Sequence, residues 1–436
     1  MSQFTNFCHF NEHIIEEELN DFGGSEKKKT LIMDDGLRYM LKFPDPTREE
    51  KLKLQLSYIN NALSEYIGCH VYESVGIPVQ KTYLGTYTTE KGKEKVACLI
   101  KDFRNDGIRL YDADKLELGA IDTESSVTLS SVQDIMHGLK SADPEDMYRK
   151  YCDRTVVDAL IGNTDRHNGN WGVAKDKNGR INLAPVYDCG SSYSPLLEDK
   201  ELTEKILKTE TTDVVSALHD EKDDHRIKFI DLFRMDIPEI TEALKRTVPK
   251  INLESIHNVI DEIPYISAQR NSFYKNLTDG RFEAFLIPAL ERAVGIHKSD
   301  EYKDWNSKVI SEINRLYIEP FTSIPNGLSG KVMIDGKEIL YRKNSDYIFF
   351  MDHDSCIAFG STKKSNQNIG KFVQALRNIG VNVNIDCLKL STRSMDDEDL
   401  DINKKIAEAR AEAQNFGTHF ESYENTIVNL SKNEIR

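Results

Sequence analysis

The most constraining feature of this sequence is a polar segment, residues 162–170, that lies between two apolar stretches. It follows a predicted helix that starts at Asp143 and carries apolar residues up to Ile161, and a predicted strand begins directly after it. Buried polar side chains need hydrogen-bond partners, so a polar segment held between two core elements needs a use for its side chains. The fold therefore has to be built around this segment.

The polar segment contains one acidic residue, Asp165, and a second acidic residue, Asp188, lies at the end of an apolar strand further along the chain. Asp165 precedes Asn170 by five positions, and the strand Ala-Pro-Val-Tyr delivers Asp188. In phosphoryl transfer, one carboxylate takes or orients the proton of the nucleophile, while an amide oxygen and another carboxylate hold Mg²⁺. Protein kinases have the same Asp-to-Asn spacing. The spacing also suits a loop closed by Asp and Asn hydrogen bonds, so these residues alone leave both interpretations open.

A glycine-rich turn precedes the first predicted hairpin. The turn contains Gly23, Gly24, Ser25 and Lys28. Two glycines followed by a hydroxyl and lysines let backbone N–H groups approach phosphates closely, although a Gly-Gly step is also common in ordinary turns.

A lysine at the end of the next strand is the second upstream feature. Lys42 ends the predicted strand 37–43, and a lysine in an apolar strand either reaches solvent or pairs with a negative group. Such a lysine after a glycine turn suits contact with ATP phosphates. Glu65, on the helix that follows, is the candidate acid that orients Lys42, and other acidic residues compete for this role.

The order of predicted elements indicates an α+β fold with a small antiparallel lobe, a helical lobe and a third region. An Asp-Gly step predicts a hairpin over 30–43, and 81–101 resembles another. From about residue 108 the pattern predicts helices, interrupted by a hairpin at 171–187. A linker at 320–330 precedes a predicted β-meander over 331–359, a helix near 369–379 and an acidic run at 396–399, to which the residues attach no chemistry.

Composition narrows the class of protein. The net charge of −15 argues against broad nucleic-acid coating and against docking on an anionic membrane, because both favour positive charge. Seven scattered cysteines without a Cys-x-x-Cys pair predict free thiols in a reducing compartment. With no apolar run long enough for a membrane span, we expect a cytoplasmic protein.

Several short motifs together resemble those of HipA-like serine/threonine kinases, over about residues 20–300. They are Gly-Gly-Ser-x-x-Lys, Leu-Lys-Phe-Pro, Ser-Glu-Tyr-Ile, Gly-Asn-Thr-Asp-Arg-His-Asn-Gly-Asn-Trp and Ala-Pro-Val-Tyr-Asp. The resemblance implies a two-lobed protein-kinase-like fold. We therefore expect a kinase N-lobe over residues 1–105, a helical C-lobe over 106–318 and a C-terminal α+β appendage of unknown role over 319–436.

The resemblance also implies roles for individual residues, with ATP and Mg²⁺ as cofactors. Asp165 is the expected catalytic base, and Asn170 with Asp188 are the expected Mg²⁺ ligands. Lys42 is expected to contact the nucleotide phosphates, residues 23–28 to form a flexible phosphate loop, and residues 99–103 to supply the adenine hinge, which includes Lys101 and Phe103. His167 is expected to orient the catalytic loop through a hydrogen bond.

Two departures from the family pattern are visible. Only about twenty residues precede the glycine turn, so the chain resembles the short, CtkA-like form that lacks the N-terminal subdomain of the toxins. Asp21 stands where those toxins carry a serine, which leaves Ser25 as the nearest hydroxyl. A protein substrate and an antitoxin-type partner are expected from the resemblance, with no direct contact to nucleic acid or membrane.

Three other functions compete with a protein kinase. A lipid or small-molecule kinase of related fold would need basic residues beyond Asp188, but the stretch 194–201 is net acidic. A metal-dependent phosphohydrolase would use Asp165, His167 and Asp188 as ligands and would leave Lys42 without a role. A catalytically silent nucleotide-binding scaffold would not need the predicted base and both metal ligands.

Overall fold

The structure, a computed structural model, describes residues 4–19, 28–44, 60–117, 126–139, 142–294 and, apart from 328, 335, 336 and 345, residues 326–361. Described residues up to 243 and from 255 to 286 form one compact unit, whereas those of 244–254 and 287–361 belong to a second. The boundaries predicted at 105 and 318 stay predictions, and residue 318 lies outside the described residues. The predicted helix at 369–379 and the acidic run at 396–399 lie outside them as well.

The first unit begins with a five-stranded antiparallel sheet. Its strands are β1 (Ile14–Glu18), β2 (Lys28–Met33), β3 (Arg38–Lys42), β4 (Thr82–Thr88) and β5 (Glu94–Lys101). They lie in the order β1-β2-β3-β5-β4, and each neighbouring pair is antiparallel. Both hairpins predicted for this part of the chain are therefore confirmed.

The turn between β2 and β3 has the geometry that its Asp-Asp-Gly sequence predicts. Gly36 has a φ of 77°, a left-handed value that glycine adopts at low cost. The backbone N–H of Leu37 donates to Asp35 Oδ1 at 2.9 Å. Alternate residues of the strands then face a buried cluster. Its members include Phe4, Phe10, Leu31, Met33, Tyr39, Leu41, Phe43, Tyr87, Ala97 and Leu99.

Helix α1 (Asn61–Ser74) packs against β4 and β5. The sequence predicts a helix that ends near residue 74, and the described part confirms that end. Gly76 and Pro78 follow within four residues, and proline cannot continue a helix because it lacks an N–H. Helix α1 buries most of its side chains, one of which is the carboxylate of Glu65.

Helices form most of the chain between 113 and 294. They are α2 (Ala113–Glu117), α3 (Leu129–His137), α4 (Pro144–Ile161), α5 (Glu204–Thr212), α6 (Phe229–Leu232), α7 (Pro238–Thr247), α8 (Leu253–Asp261), α9 (Ala268–Arg281) and α10 (Ile287–Ala293). Short 3₁₀ segments are Phe10–His13, Phe103–Asp106, Asp199–Glu201 and Val248–Lys250, and Phe282–Leu286 is a π-helical turn.

Helix α4 leads directly into the polar segment that constrains the fold. Asp143 caps its start by accepting a hydrogen bond of 3.1 Å from the N–H of Asp146, as the sequence predicts. The helix ends at Gly162, whose φ of 67° is left-handed, a frequent way to end a helix. A side chain at this position would collide with the guanidinium of Arg281, so only glycine fits here without rearrangement.

Three strands correct the prediction that the chain is helical from about residue 108 to 170 and from about 200 to 318. Strand β6 (Arg109–Asp112) pairs with β7 (Gly172–Lys175), which pairs with β8 (Ile181–Leu183). Strands β9 (Val215–His219) and β10 (Arg226–Lys228) form a separate hairpin. The hairpin predicted at 171–187 is confirmed, but it is two strands of a three-stranded sheet.

The second unit contains the predicted β-meander. Its strands are β11 (Ser329–Ile334), β12 (Lys337–Asn344), β13 (Tyr347–Asp352) and β14 (Ser355–Ser361). They pair in chain order, each antiparallel to the next. Tyr347, Phe349 and Phe359 are buried and form ring contacts between 5.7 and 6.1 Å, which gives this sheet an aromatic face.

Over the described part of the chain, no helix combines the length and the apolar composition needed to cross a bilayer. The six cysteines within that part are free thiols, in agreement with the expectation from their scattered spacing. Cys387 lies outside the described residues.

Candidate active site

A buried lysine joins two acidic residues from different elements. Lys42, the last residue of β3, donates from Nζ to Glu65 Oε2 and to Asp188 Oδ1, both at 2.9 Å. Lys42 is 2% exposed and Glu65 is fully buried. Buried charges are unfavourable unless they are paired, so this cluster fixes β3, α1 and the segment after β8 relative to one another.

The charge of Asp188 is stabilised by its neighbours. Burial opposes ionisation, but Lys42 and Lys28 together lower the pKa of Asp188 to about 2. Lys28 stands directly opposite Lys42 in the β2–β3 pair, and residues that pair directly in this way point to the same face of a sheet. Asp188 has a φ of 56°, in the left-handed region where Asp and Asn are the least strained residues after glycine.

Glu65 is held by donors on both of its oxygens. Oε2 accepts from Lys42, whereas Oε1 accepts from the side chain of Gln80 and, at 3.0 Å, from the backbone N–H of Cys189. Burial raises the pKa of Glu65, and Lys42 acts in the opposite direction. The thiol of Cys69 also lies 3.8 Å from Oε1. Donors around a carboxylate favour its ionised form and so oppose the effect of burial, but burial is the larger influence and the pKa stays above its ordinary value.

The polar segment brings Asp165 and Asn170 together. Asn170 Nδ2 donates to the backbone oxygen of Asp165 at 2.7 Å and to its carboxylate Oδ2 at 3.3 Å. The Asp165 side chain is 48% exposed, so a substrate hydroxyl can reach it from solvent. Burial raises the pKa of Asp165; His167 lowers it and the negative charge of Asp188 raises it further.

Arg166 ties the segment to its surroundings, a role that the sequence analysis did not assign. Its Nε and Nη2 donate to the two carboxylate oxygens of Asp158, both at 3.0 Å. Its Nη1 donates to the backbone oxygens of Asn170, at 2.8 Å, and of Tyr187. Asp158 lies on α4 and is 3% exposed, so one buried guanidinium connects α4, the polar segment and the residue before Asp188.

His167 makes a hydrogen bond within the loop. The backbone N–H of Gly169 donates to His167 Nδ1 at 3.0 Å, and Nε2 lies 3.7 Å from Asp165 Oδ1. Because Nδ1 accepts, the neutral ring carries its proton on Nε2, on the side of Asp165. The ring is 54% exposed. An orienting role for His167 stays a prediction.

The residues predicted for the adenine hinge lie at the end of β5. Lys101 ends that strand, and its ammonium pairs with Asp106 Oδ1 at 2.8 Å. Phe103 begins a 3₁₀ segment and contacts the ring of Tyr187 at 6.5 Å between centroids. Phe103 is thus packed against Tyr187, the residue that precedes Asp188. Gly23, Gly24 and Ser25 lie outside the described residues.

Two oxygens are available for a divalent cation. Asn170 uses its amide nitrogen toward Asp165, and within the described residues its Oδ1 accepts no hydrogen bond. Likewise, Asp188 binds Lys42 through Oδ1 and has no described donor on Oδ2. An amide oxygen and a carboxylate oxygen are ligands that suit Mg²⁺, so these residues fit the cation that the sequence predicts.

The sequence and the fold are similar to those of known kinases. A family model described as the HipA-like C-terminal domain matches residues 21–259. The serine/threonine-protein kinase CtkA of Helicobacter pylori (strain J99 / ATCC 700824) is 31% identical over 284 residues, or 63% of this chain and 85% of that protein.

The fold is also similar to that of a solved CtkA structure. A crystal structure of the Helicobacter pylori proinflammatory kinase CtkA has a TM-score of 0.58 and 28% identity, covering 66% of this chain and 99% of that one. HipA of Shewanella oneidensis MR-1, solved with HipB and operator DNA, has a TM-score of 0.37 and 16% identity, covering 58% and 60%.

These relatives confirm two predictions from the sequence, the kinase-like α+β fold and an enzyme of the serine/threonine protein kinase class. The matched family region contains Lys42, Glu65, Asp165, Asn170 and Asp188. The chain therefore belongs to the HipA-like C-terminal domain family.

Proposed function

We propose that this chain transfers the terminal phosphoryl group of ATP to a serine or threonine hydroxyl of a protein, with Mg²⁺ as cofactor. The observation that carries the proposal is the position of Lys42, 2.9 Å from both Glu65 and Asp188. A lysine held by an acid on a helix is the arrangement that positions nucleotide phosphates in protein kinases. Here the same lysine also reaches the proposed metal ligand.

Asp188 and Asn170 would hold Mg²⁺ through Oδ2 and Oδ1, respectively. A cation held there would supply positive charge that offsets the negative charge of the phosphates during transfer. Arg166 keeps both ligands in place, because it binds the backbone oxygen of Asn170 and that of Tyr187, next to Asp188. Lys42 and Lys28 supply two positive charges on the same face of the sheet, where anionic phosphates would lie.

Asp165 would accept the proton of the substrate hydroxyl. Its carboxylate is half-exposed, and Asn170 Nδ2 and Ser191 Oγ lie 3.3 and 3.5 Å from Oδ2. These contacts orient the group without covering it. A general base is most effective when its pKa lies close to the working pH, and burial of Asp165 raises its pKa in that direction.

Two observations favour this function over the alternatives. A phosphohydrolase centre would bring Asp165, His167 and Asp188 together as ligands, but the only such three-residue group in the described part of the chain is Glu65, Cys69 and Cys189. A lipid kinase would need cations after Asp188. Instead, the stretch 194–201 is net acidic, and its lysine, Lys200, is paired with Glu198.

A cytoplasmic location and an antitoxin-type partner belong to the same proposal. The first is supported by the free cysteines of the described residues and the second by family membership. Fractionation of cells of its source would test the location, and pull-down of tagged protein with mass spectrometry would test the partner.

The substitution Asp165→Asn tests the proposed function. It keeps the size of the side chain but removes its ability to take a proton, which typically lowers a rate about 10²–10⁴-fold. Transfer from radiolabelled ATP to proteins of a cell lysate would be measured beside ATP affinity by calorimetry. We expect transfer to fall and affinity to persist. Asp231→Asn, at an exposed carboxylate paired with Arg234, is the matched control, and near-normal turnover of Asp165→Asn would refute the assignment.

A further inference from the structure

Behind the Lys42–Glu65 pair lies a buried group of three side chains that the proposed reaction does not use as ligands. Glu65 and Cys69 stand four residues apart on α1, and Cys189 follows Asp188. One ligand atom of each lies within 4.8 Å of those of the other two, and all three residues are buried. Residues four apart share one face of a helix, so α1 presents an oxygen and a sulfur side by side.

The donor set selects one class of metal ion. Two sulfurs and one carboxylate oxygen suit Zn²⁺ and related ions, whereas Mg²⁺ prefers oxygen ligands alone. The amide of Gln80 contacts Cys69 Sγ at 3.6 Å and also reaches Glu65. Rotation of this amide by half a turn would direct its oxygen into the group. The amide oxygen of Gln80 would then be the fourth ligand that tetrahedral Zn²⁺ requires.

The surrounding charges tolerate such an ion. Binding would convert two thiols to thiolates and release two protons, so two thiolates, one carboxylate and Zn²⁺ would sum to −1. Lys42 lies 2.9 Å from Glu65 Oε2, and Arg166 Nη2 lies 3.8 Å from Cys189 Sγ. These two cations flank the group and, although Asp188 and Asp158 share them, they lie close enough to stabilise one additional negative charge.

We propose that Glu65, Cys69 and Cys189 form a binding site for a zinc-class ion, and that occupancy of this site inhibits phosphoryl transfer. The ion would draw Glu65 away from Lys42 and would fix Cys189, the neighbour of the metal ligand Asp188. Helix α1 and the segment after β8 are already in close contact, because a Cβ on Gly68 would lie 2.7 Å from Cys189 Cβ. The inhibitory consequence rests on the proposed function, whereas the binding of the ion does not.

Cobalt(II) is the probe for binding, because thiolate–Co²⁺ coordination gives a near-ultraviolet charge-transfer absorption that needs neither ATP nor substrate. We expect one Co²⁺ per wild-type chain, displaced by Zn²⁺. Cys69→Ser and Cys189→Ser should each abolish or strongly weaken the absorption. Cys152→Ser, at a buried cysteine of α4 outside the group, should leave it unchanged. An absorption that is missing in wild type, or that survives both substitutions, overturns the site.

A second measurement uses wild-type protein only, in case a serine variant fails to fold. Zn²⁺ should slow alkylation of Cys69 and Cys189 relative to Cys152, as read by peptide mass spectrometry, and equal protection of all three contradicts the site. For inhibition, Zn²⁺ is added at saturating Mg-ATP, and activity should return with a chelator but not with a phosphine reductant. Recovery with the reductant alone would show a Cys69–Cys189 disulfide instead and would overturn the proposal. If Co²⁺ binds but no transfer occurs under any condition, the metal site stands and the proposed kinase function fails.

Discussion

The guanidinium of Arg166 holds the carboxylate of Asp158 through two hydrogen bonds of 3.0 Å in the interior of the protein. This is the bidentate arrangement that a guanidinium and a carboxylate form readily, with two parallel hydrogen bonds between opposite charges. Asp158 also accepts from Asn163 Nδ2 at 3.0 Å. The segment that carries Asp165 is fixed to α4 at two of its residues.

Loss of this pair should destabilise the fold strongly. Arg166→Met leaves Asp158 charged and buried, and breaking a buried ion pair from one side costs about 3–5 kcal/mol. Urea unfolding followed by circular dichroism would measure the change. Arg149→Met is the control on the same chain stretch, since Arg149 pairs with Asp146 on the exposed side of α4 and surface pairs contribute only about 0–1 kcal/mol. Similar losses for the two variants would contradict the assigned role of Arg166.

Removal of the Lys42 ammonium should impair phosphoryl transfer in the protein that remains folded, and it should also destabilise the fold, because it leaves the buried Glu65 carboxylate without its cation. Lys42→Met is expected to lower the transfer rate about 10²–10³-fold, the range found when a group that stabilises transition-state charge is removed. Lys29→Met provides a matched control one residue from Lys28, because Lys29 pairs with the more exposed Glu17 and Glu90. Both rates would be measured at saturating ATP, and equal losses would remove Lys42 from the reaction.

The metal dependence of nucleotide binding should reside in Asp188. Asp188→Asn is preferable to alanine, because asparagine tolerates the left-handed φ of 56° at this position. The variant should bind ATP with nearly the same affinity whether Mg²⁺ is present or chelated, whereas wild type should bind more tightly with Mg²⁺. Calorimetric titrations in both conditions decide the matter. A persistent response to Mg²⁺ would show that other residues hold the cation.

The acidic limb of the pH–rate profile should report on Asp165. Burial raises the pKa of this carboxyl, so the rate should fall as the pH drops through a value above the ordinary aspartate value of about 3.9. Asp188, with a pKa of about 2, stays ionised throughout that range. The loss of rate at low pH would thus result from protonation of the base, Asp165.

Arg226 offers a way to move that limb. Its Nη2 donates to the backbone oxygen of Thr164, and its charge lowers the pKa of Asp165. Arg226→Met should shift the acidic limb to higher pH, while Arg226→Lys should keep it close to that of wild type. Transfer rates from about pH 4 to 8, a window that begins near the ordinary aspartate value, would show the shift. An unchanged limb in Arg226→Met would mean that another group titrates.

Local sequence signals predicted those elements whose partners are close in the chain. The Asp-Gly step before Leu37 and the cap formed by Asp143 each act over a few residues, and both hold in the structure. Strand β6 gave no such signal, because its four residues alternate between exposed and partly buried positions and pair with β7, some 60 residues away. The sequence also did not predict hairpin β9–β10, because the turn between its strands consists mostly of charged residues.

The sequence indicates the polar residues proposed to act in the reaction, but it does not indicate the buried residues that hold them in place. The spacing of Asp165 and Asn170 and the position of Lys42 are visible in the sequence. The part played by Arg166 depends on a carboxylate supplied by α4. One signal could have revealed it: Asp158 is an acidic residue between Val157 and Ala159, in the apolar half of a helix. An acid at such a position requires a buried cationic partner.

Lys28 and Lys42 face each other across the pair of strands β2 and β3, and this arrangement should make the melting temperature of the protein depend on bound ligand. Two like charges placed face to face weaken a strand pair, and the carboxylate of Asp188, whose pKa both lysines lower, offsets part of this repulsion. A bound triphosphate would bring further negative charge to the same face. A ligand that binds only the folded state stabilises it, and this stabilisation grows with the logarithm of the ratio of ligand concentration to dissociation constant. The protein should therefore melt at a lower temperature alone than with a nucleoside triphosphate, and replacement of Lys28 by threonine should shrink the increase in melting temperature that the nucleotide causes.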